Sequence, residues 1–223
     1  MIPPGPDSSG LRLQGLHVLA DDDPRWPWSP IEQARAACDG GASVIQLRTK
    51  HSTDRQTLAW ATAIREITRR SGALFFVNDR FDLALISEAD GVHVGQTDLP
   101  PDHFPSQARQ QLMVGRSSHD LAQAIRARDE RADYIAFGPI YETGSKVSEY
   151  DSQGLRALAE IVQAVRPFPV IAIGGINSRR APEVVATGAA GLAVISAVAD
   201  QPDPTAATRA ISGCFPRPQG DRS

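Results

Sequence analysis

Cysteine is scarce. Cys38 and Cys214 are the two in 223 residues, and they lack the paired spacing of a zinc ligand set or a redox dithiol. Free thiols in a reducing compartment are expected. Long apolar runs are also missing, and none approaches the ~18 residues of a membrane span. No basic, apolar, small-residue leader opens the sequence, so a cytoplasmic protein with no membrane partner is expected. Excess charge is absent too: a formal net charge of -3 supplies no field to draw nucleic acid. No Gly-x-Gly-x-x-Gly follows an apolar run, which disfavours a dinucleotide fold. Trp26, Trp28 and Trp60 are read as packing residues.

What is present is alternation. Short apolar runs at 16–20, 42–47, 73–77, 90–94, 112–115, 133–137, 169–173 and 191–195 read as buried parallel strands. Helical patterns separate them. Ser29-Pro30 opens one helix, ended by Gly40-Gly41, and Asp54 is expected to cap a longer one ended by Ser71-Gly72. A helix from Leu99-Pro100-Pro101 to Gln111 is expected, as are helices capped by Asp120 and Ser178 and a closing helix over 204–214. The alternation predicts one α/β domain, a (β/α)8 TIM barrel over 16–214, with tails at 1–15 and 215–223.

In such barrels ligands bind at the C-terminal strand ends. Asp79 and Asp98 stand at or just past two neighbouring ends. Paired carboxylates suit Mg²⁺, which keeps several waters and takes further oxygens from substrate phosphates. Gln46, Arg48 and Lys50 alternate along the second strand end, so period two puts them on one face. Gly174-Gly175 follows the seventh strand and Ile195-Ser196 the eighth, the usual phosphate position of the fold. Thr143, Ser145 and Lys146 lie in a long polar loop suited to covering a polyphosphate. His119 is a candidate acid–base group or a helix cap. His93 and His17 are candidates for hydrogen-bonding a substrate ring, whereas His51 and His103 read as surface residues.

Gln46-Leu47-Arg48-Thr49-Lys50, Asn78-Asp79-Arg80, the run from Gly91 to Asp98, Gly115-Arg116-Ser117, Gly138-Pro139-Ile140 and Ile173-Gly174-Gly175-Ile176 together resemble the thiamine phosphate synthase family, over about residues 16–198. The resemblance implies a (β/α)8 barrel that joins 4-amino-2-methyl-5-hydroxymethylpyrimidine diphosphate to thiazole phosphate with Mg²⁺, releasing pyrophosphate. It implies loss of pyrophosphate to a pyrimidine methyl cation, then capture by the thiazole nitrogen. It assigns the metal to Asp79 and Asp98, and the diphosphate to Gln46, Arg48, Lys50, Asn78 and Lys146. Ser117 supports the leaving group, so Ser117, Lys146 and Arg48 are the implied catalytic side chains. Thr143 and Ser145 match lid hydroxyls. Gly175, Ile195 and Ser196 offer backbone to the thiazole phosphate, and His93 and Gln96 lie near the pyrimidine. Small-molecule substrates are the implied partners, and a homo-oligomer stays open.

Three departures stand out. The family's lid reads Thr-Pro-Thr-Lys, whereas this chain has Thr143-Gly144-Ser145-Lys146. The first strand carries His17 where the family has Tyr. Glu142-Thr143 and Leu16-His17 resemble the related thiazole tautomerase, which works by proton transfer through a histidine matching His119 and needs no diphosphate metal site. Asp79 and Asp98 beside Gln46, Arg48 and Lys50 favour the synthase. A non-catalytic barrel that binds thiazole phosphate is a third reading.

Overall fold

The computed structural model describes residues 13–144 and 150–215. Eight strands form a closed barrel in sequence order, each paired in parallel with its neighbours. They are β1 (Gly15–Asp21), β2 (Val44–Arg48), β3 (Leu74–Asn78), β4 (Gly91–Val94), β5 (Met113–Ser118), β6 (Tyr134–Phe137), β7 (Val170–Ile173) and β8 (Gly191–Val194). The helices are α1 (Pro30–Asp39), α2 (Asp54–Ser71), α3 (Phe81–Ile86), α4 (Ser106–Gln111), α5 (Leu121–Asp129), α6 (Gly154–Ala164), α7 (Ala181–Ala186), α8 (Ser196–Ala199) and α9 (Pro204–Ser212). The (β/α)8 barrel expected from the sequence is the observed fold.

Period-two alternation sorts the strands into two cores. Leu16, Val18, Ile45, Leu47, Phe75 and Val77 pack outward against the helices. Leu19, Val44, Leu74, Phe76, Tyr134 and Ile171 fill the barrel interior. Two interior positions are glycine for steric reasons. A Cβ on Gly91 would stand 2.3 Å from the Phe76 ring, and one on Gly115 would stand 2.1 Å from the Tyr134 ring. Small residues on β4 and β5 thus make room for large rings from β3 and β6.

Local chemistry accounts for the helix ends. Ser29 and Glu32 form a capping box at α1, and Asp120 caps α5 through the Gln123 N–H. Four expectations are corrected. The cap of α2 is Thr53, with Asp54 as its first residue. No single helix runs from Leu99 to Gln111. A 3₁₀ turn spans Pro101–His103, Phe104 is extended at φ -67°, ψ 143°, and α4 starts at Ser106. Pro105 is the cause, because a residue before proline is pushed out of the helical region. Ser178 caps nothing at α7, which begins at Ala181; Asn177 Oδ1 accepts the N–H groups of Arg179 and Arg180 instead. Strand β5 also extends beyond the predicted 112–115 as far as Ser118.

Candidate active site

Along several strands the interior face turns from apolar to polar toward the C-terminal end: Val44 then Gln46 then Arg48, Leu74 then Phe76 then Asn78, Gly115 then Ser117. Those ends open into a cavity of about 440 Å³. Gln46, Arg48, Lys50 and Asn78 line it from β2 and β3, as do His93, Gln96 and Ser117 from β4 and β5. Asp79 and Asp98 face it together, and Gly175, Ile195 and Ser196 close the side formed by β7 and β8. Thr143 and His119 also reach it. Ser145 and Lys146 lie outside the described residues.

Asp79 has a backbone φ of +64°, a left-handed conformation that is uncommon for non-glycine residues and clusters at functional sites. Its N–H donates to the His93 carbonyl at 2.7 Å, which ties the β3 end to β4. Its carboxylate pairs with the Lys50 ammonium at 2.5 Å. Asp98 Oδ2 accepts the Gly95 N–H at 2.7 Å. Partial burial raises the pKa of Asp98; the Gly95 N–H opposes this, and the negative charge of Asp79 reinforces it. Two adjoining carboxylates, one of them disfavoured as an anion, form a place where a cation is electrostatically favoured. Among the described residues no cluster of three or more His, Cys, Asp or Glu accompanies them. The protein therefore offers two carboxylates, the donor set of an ion that draws its remaining oxygens from water and ligand.

Arg48 is held from behind. Its guanidinium pairs with Asp21, whose side chain is wholly buried, while that of Arg48 is 12% exposed. Asp21 Oδ1 also accepts Trp26 Nε1–H at 2.7 Å and the Asp23 N–H at 3.1 Å. The Asp21 N–H donates to Gln33 Oε1 at 2.9 Å, and Gln33 Nε2 returns a bond to the Asp21 carbonyl at 2.9 Å. Such a fully bonded carboxylate fixes the Arg48 fork. Gln46 Oε1, by contrast, is buried with no hydrogen-bond partner among the described residues.

The histidines differ in their surroundings. His93 Nδ1 lies 3.0 Å from Tyr134 Oη, and its Nε2 lies 2.9 Å from Ser117 Oγ. His17 is buried, with Nε2 2.8 Å from the Leu13 carbonyl. Burial pushes its pKa down to about 4, against the raising effect of that hydrogen bond, so the neutral ring belongs to the interior. His119 Nδ1 donates to the Gly138 carbonyl at 2.5 Å and its ring stacks on Tyr150 at 3.6 Å.

After β7, Gly174 and Gly175 have φ of +104° and +63°. Cβ atoms there would come within 2.5 Å of Pro139 Cα and of the Glu142 carbonyl, so only bare backbone fits. Arg180 holds the Gly175 carbonyl at 2.6 Å and lies 4.3 Å above the Tyr141 ring. Asp21, Tyr134 and Arg180 were missed by sequence reasoning. The acidic trio Asp21, Asp22 and Asp23 after the first strand was a signal for the first of them; the other two look like ordinary core and surface residues.

Fold and site together define a (β/α)8-barrel protein whose C-terminal mouth gathers a carboxylate pair, fixed cationic side chains and bare glycine backbone. The thiamine monophosphate synthase family profile matches residues 16–198. The chain is 46% identical over 194 residues to a thiamine-phosphate synthase of Methanocella arvoryzae, covering 87% of this chain and 91% of that one. It is 45% identical over 196 residues to one of Methanoculleus marisnigri, covering 88% and 92%. Among solved structures, a thiamine phosphate pyrophosphorylase from Pyrococcus furiosus superposes with a TM-score of 0.80 at 38% identity, covering 92% of this chain and 96% of that one. The chain belongs to the thiamine monophosphate synthase family.

Proposed function

We propose that this protein joins 4-amino-2-methyl-5-hydroxymethylpyrimidine diphosphate to thiazole phosphate, giving thiamine phosphate and pyrophosphate. The observation that carries the reading is one mouth holding the Asp79–Asp98 carboxylate pair beside Arg48, Lys50 and the partnerless Gln46 acceptor. Asp79 and Asp98 would hold Mg²⁺, whose chemistry when bound is to neutralise charge on the diphosphate oxygens.

The bond from the pyrimidine methylene carbon to the diphosphate oxygen breaks, and its electron pair leaves with pyrophosphate. The thiazole nitrogen lone pair then forms the new carbon–nitrogen bond. Negative charge grows on the departing oxygens, so fixed cations help most in the transition state. Arg48, immobilised by Asp21, and Lys50 supply those cations, and Ser117 offers a hydroxyl at the same wall. Gln46 and Asn78 orient the diphosphate, while His93 and Gln96 border the ring. Gly174, Gly175, Ile195 and Ser196 present backbone to the thiazole phosphate. No protein nucleophile is required. Lys146 and Ser145 complete the reading as lid contacts to the diphosphate, together with Thr143.

The test is turnover. Both substrates with Mg²⁺ should give thiamine phosphate and equimolar pyrophosphate, and chelation should abolish it. Failure to form product with Mg²⁺ present refutes the synthase. Aromatisation of a thiazole carboxylate phosphate, dependent on His119 and indifferent to Mg²⁺, would establish the tautomerase instead.

A further inference from the structure

The hydrogen-bond chain Tyr134–His93–Ser117 follows the cavity lining, with Tyr134 the most deeply buried of the three. Tyr134 is 1% exposed, and its Oη meets His93 Nδ1 at 3.0 Å, while His93 Nε2 meets Ser117 Oγ at 2.9 Å. The His93 and Tyr134 rings stack at 5.5 Å. Phe76 and His17 each meet the Tyr134 ring edge-on at 5.8 Å, and the missing Cβ of Gly115 leaves space for it. The phenol is held on every side at one fixed point.

Two proton arrangements fit these distances. In one, Nδ1–H donates to the phenol oxygen and the Ser117 hydroxyl donates to Nε2. Tyr134 O–H then needs another acceptor, and among the described residues His93 is its hydrogen-bond partner. A buried donor left unmade is costly. In the other, the phenol donates to Nδ1, Nε2–H donates to Ser117 Oγ, and the serine proton turns toward the cavity. Only the second satisfies every group. Burial also raises the Tyr134 pKa, so the phenol keeps its proton.

We infer that Tyr134 is a positioning residue: through His93 it fixes the imidazole as the Nε2–H tautomer, which makes Ser117 a hydrogen-bond donor to the substrate. The inference rests on the synthase reading for what Ser117 faces, the diphosphate oxygen that gains charge as it leaves. Tyr134 itself need not touch substrate.

Tyr134→Phe removes one oxygen and keeps the ring. It should lower kcat about tenfold, the worth of one hydrogen bond made in the transition state, with KM for either substrate nearly unchanged. Ser117→Ala should lower kcat comparably, and adding Tyr134→Phe to it should change kcat less than about twofold, since the relay then has no end. Equal losses in both backgrounds, or no loss in the single variant, overturn the inference. Nitrogen NMR of 15N-histidine-labelled full-length protein reads the tautomer without turnover. A protonated Nε2 and bare Nδ1 on His93, shifted in Tyr134→Phe, are expected. A proton on Nδ1 in the unsubstituted protein refutes the relay, whether or not the protein makes thiamine phosphate.

Discussion

Asp21 is the place to press first, because it stands behind Arg48 and is not among the residues lining the cavity. Both side chains of the pair are removed from water, Asp21 wholly and Arg48 to 12% exposure. Deleting one partner of a buried pair leaves an uncompensated charge, at a cost of about 3–5 kcal/mol. Asp21→Ala also orphans Trp26 Nε1–H and the Asp23 N–H, so the upper half of that range is expected. At roughly 2–4 °C per kcal/mol for a domain of this size, Tm should fall by roughly 10–20 °C. Asp21→Asn keeps Oδ1 as the acceptor for both donors but turns Oδ2 into an amide NH2 that can only donate, so it loses the charge and the Arg48 bond and should cost less than Asp21→Ala. In the Asn variant, Arg48 is no longer pinned, and kcat/KM for the pyrimidine diphosphate should fall about tenfold, mostly through kcat. Asp21→Asn combined with Arg48→Met removes both charges and should recover stability relative to Asp21→Asn alone, without recovering turnover. Differential scanning fluorimetry and steady-state kinetics on the variants decide it. A Tm for Asp21→Ala within about 2 °C of the parent, or strictly additive effects in the double variant, would refute the claim that this pair pre-positions the guanidinium.

Four further outcomes follow from the geometry. Asp79→Ala or Asp98→Ala should lower kcat/KM by a factor on the order of 10² or more. Asp98→Asn should leave the empty fold slightly more stable at neutral pH. Partial burial, reinforced by the Asp79 charge, raises the folded-state pKa of Asp98, so its destabilising effect is absent below the unfolded pKa and complete above the folded one; a pH series of melts that shows the reverse contradicts the raised pKa. His17 has the opposite sign. Its pKa falls from 6.5 to about 4 on burial, so stability present above 6.5 is lost as pH falls toward 4, by about 3 kcal/mol in full. His17→Gln should flatten that acid limb in urea melts, and an unchanged limb would show that His17 does not cause it. Gly115→Ala drives a Cβ to 2.1 Å from the Tyr134 ring, and should cost about 1–3 kcal/mol of unfolding free energy; an unchanged denaturation midpoint would mean the barrel yields there.

The barrel was legible because its signals are local. Runs such as Val44–Arg48 and Leu74–Asn78 change from apolar to polar with period two, so strand, inward face and mouth can be read from the same few letters. Asp79, Asp98, Gln46, Arg48 and Lys50 were found that way, and all face one cavity. What escaped depends on contacts between strands. Asp21 matters because the β1–β2 register sets it beside Arg48, and nothing in the acidic trio says which of the three points inward. Tyr134 reads as one more apolar letter in a buried strand until His93 is found opposite its hydroxyl. The misplaced helix starts have the same origin: Thr53 and Asp54 are both good caps, and Asn177 competes with Ser178, so only geometry chooses. Asp79 was chosen for its carboxylate, but its left-handed backbone has no signature in composition.

On the proposed function, this mouth assembles a divalent ion and fixed cations around a diphosphate. Calorimetric titration of inorganic pyrophosphate into the full-length protein, with Mg²⁺ and with chelator, tests it most directly. Tight one-to-one binding that requires Mg²⁺, and that weakens at least about tenfold in both Asp79→Asn and Asp98→Asn, is the predicted result. Binding that is indifferent to Mg²⁺ or to both substitutions would contradict the account.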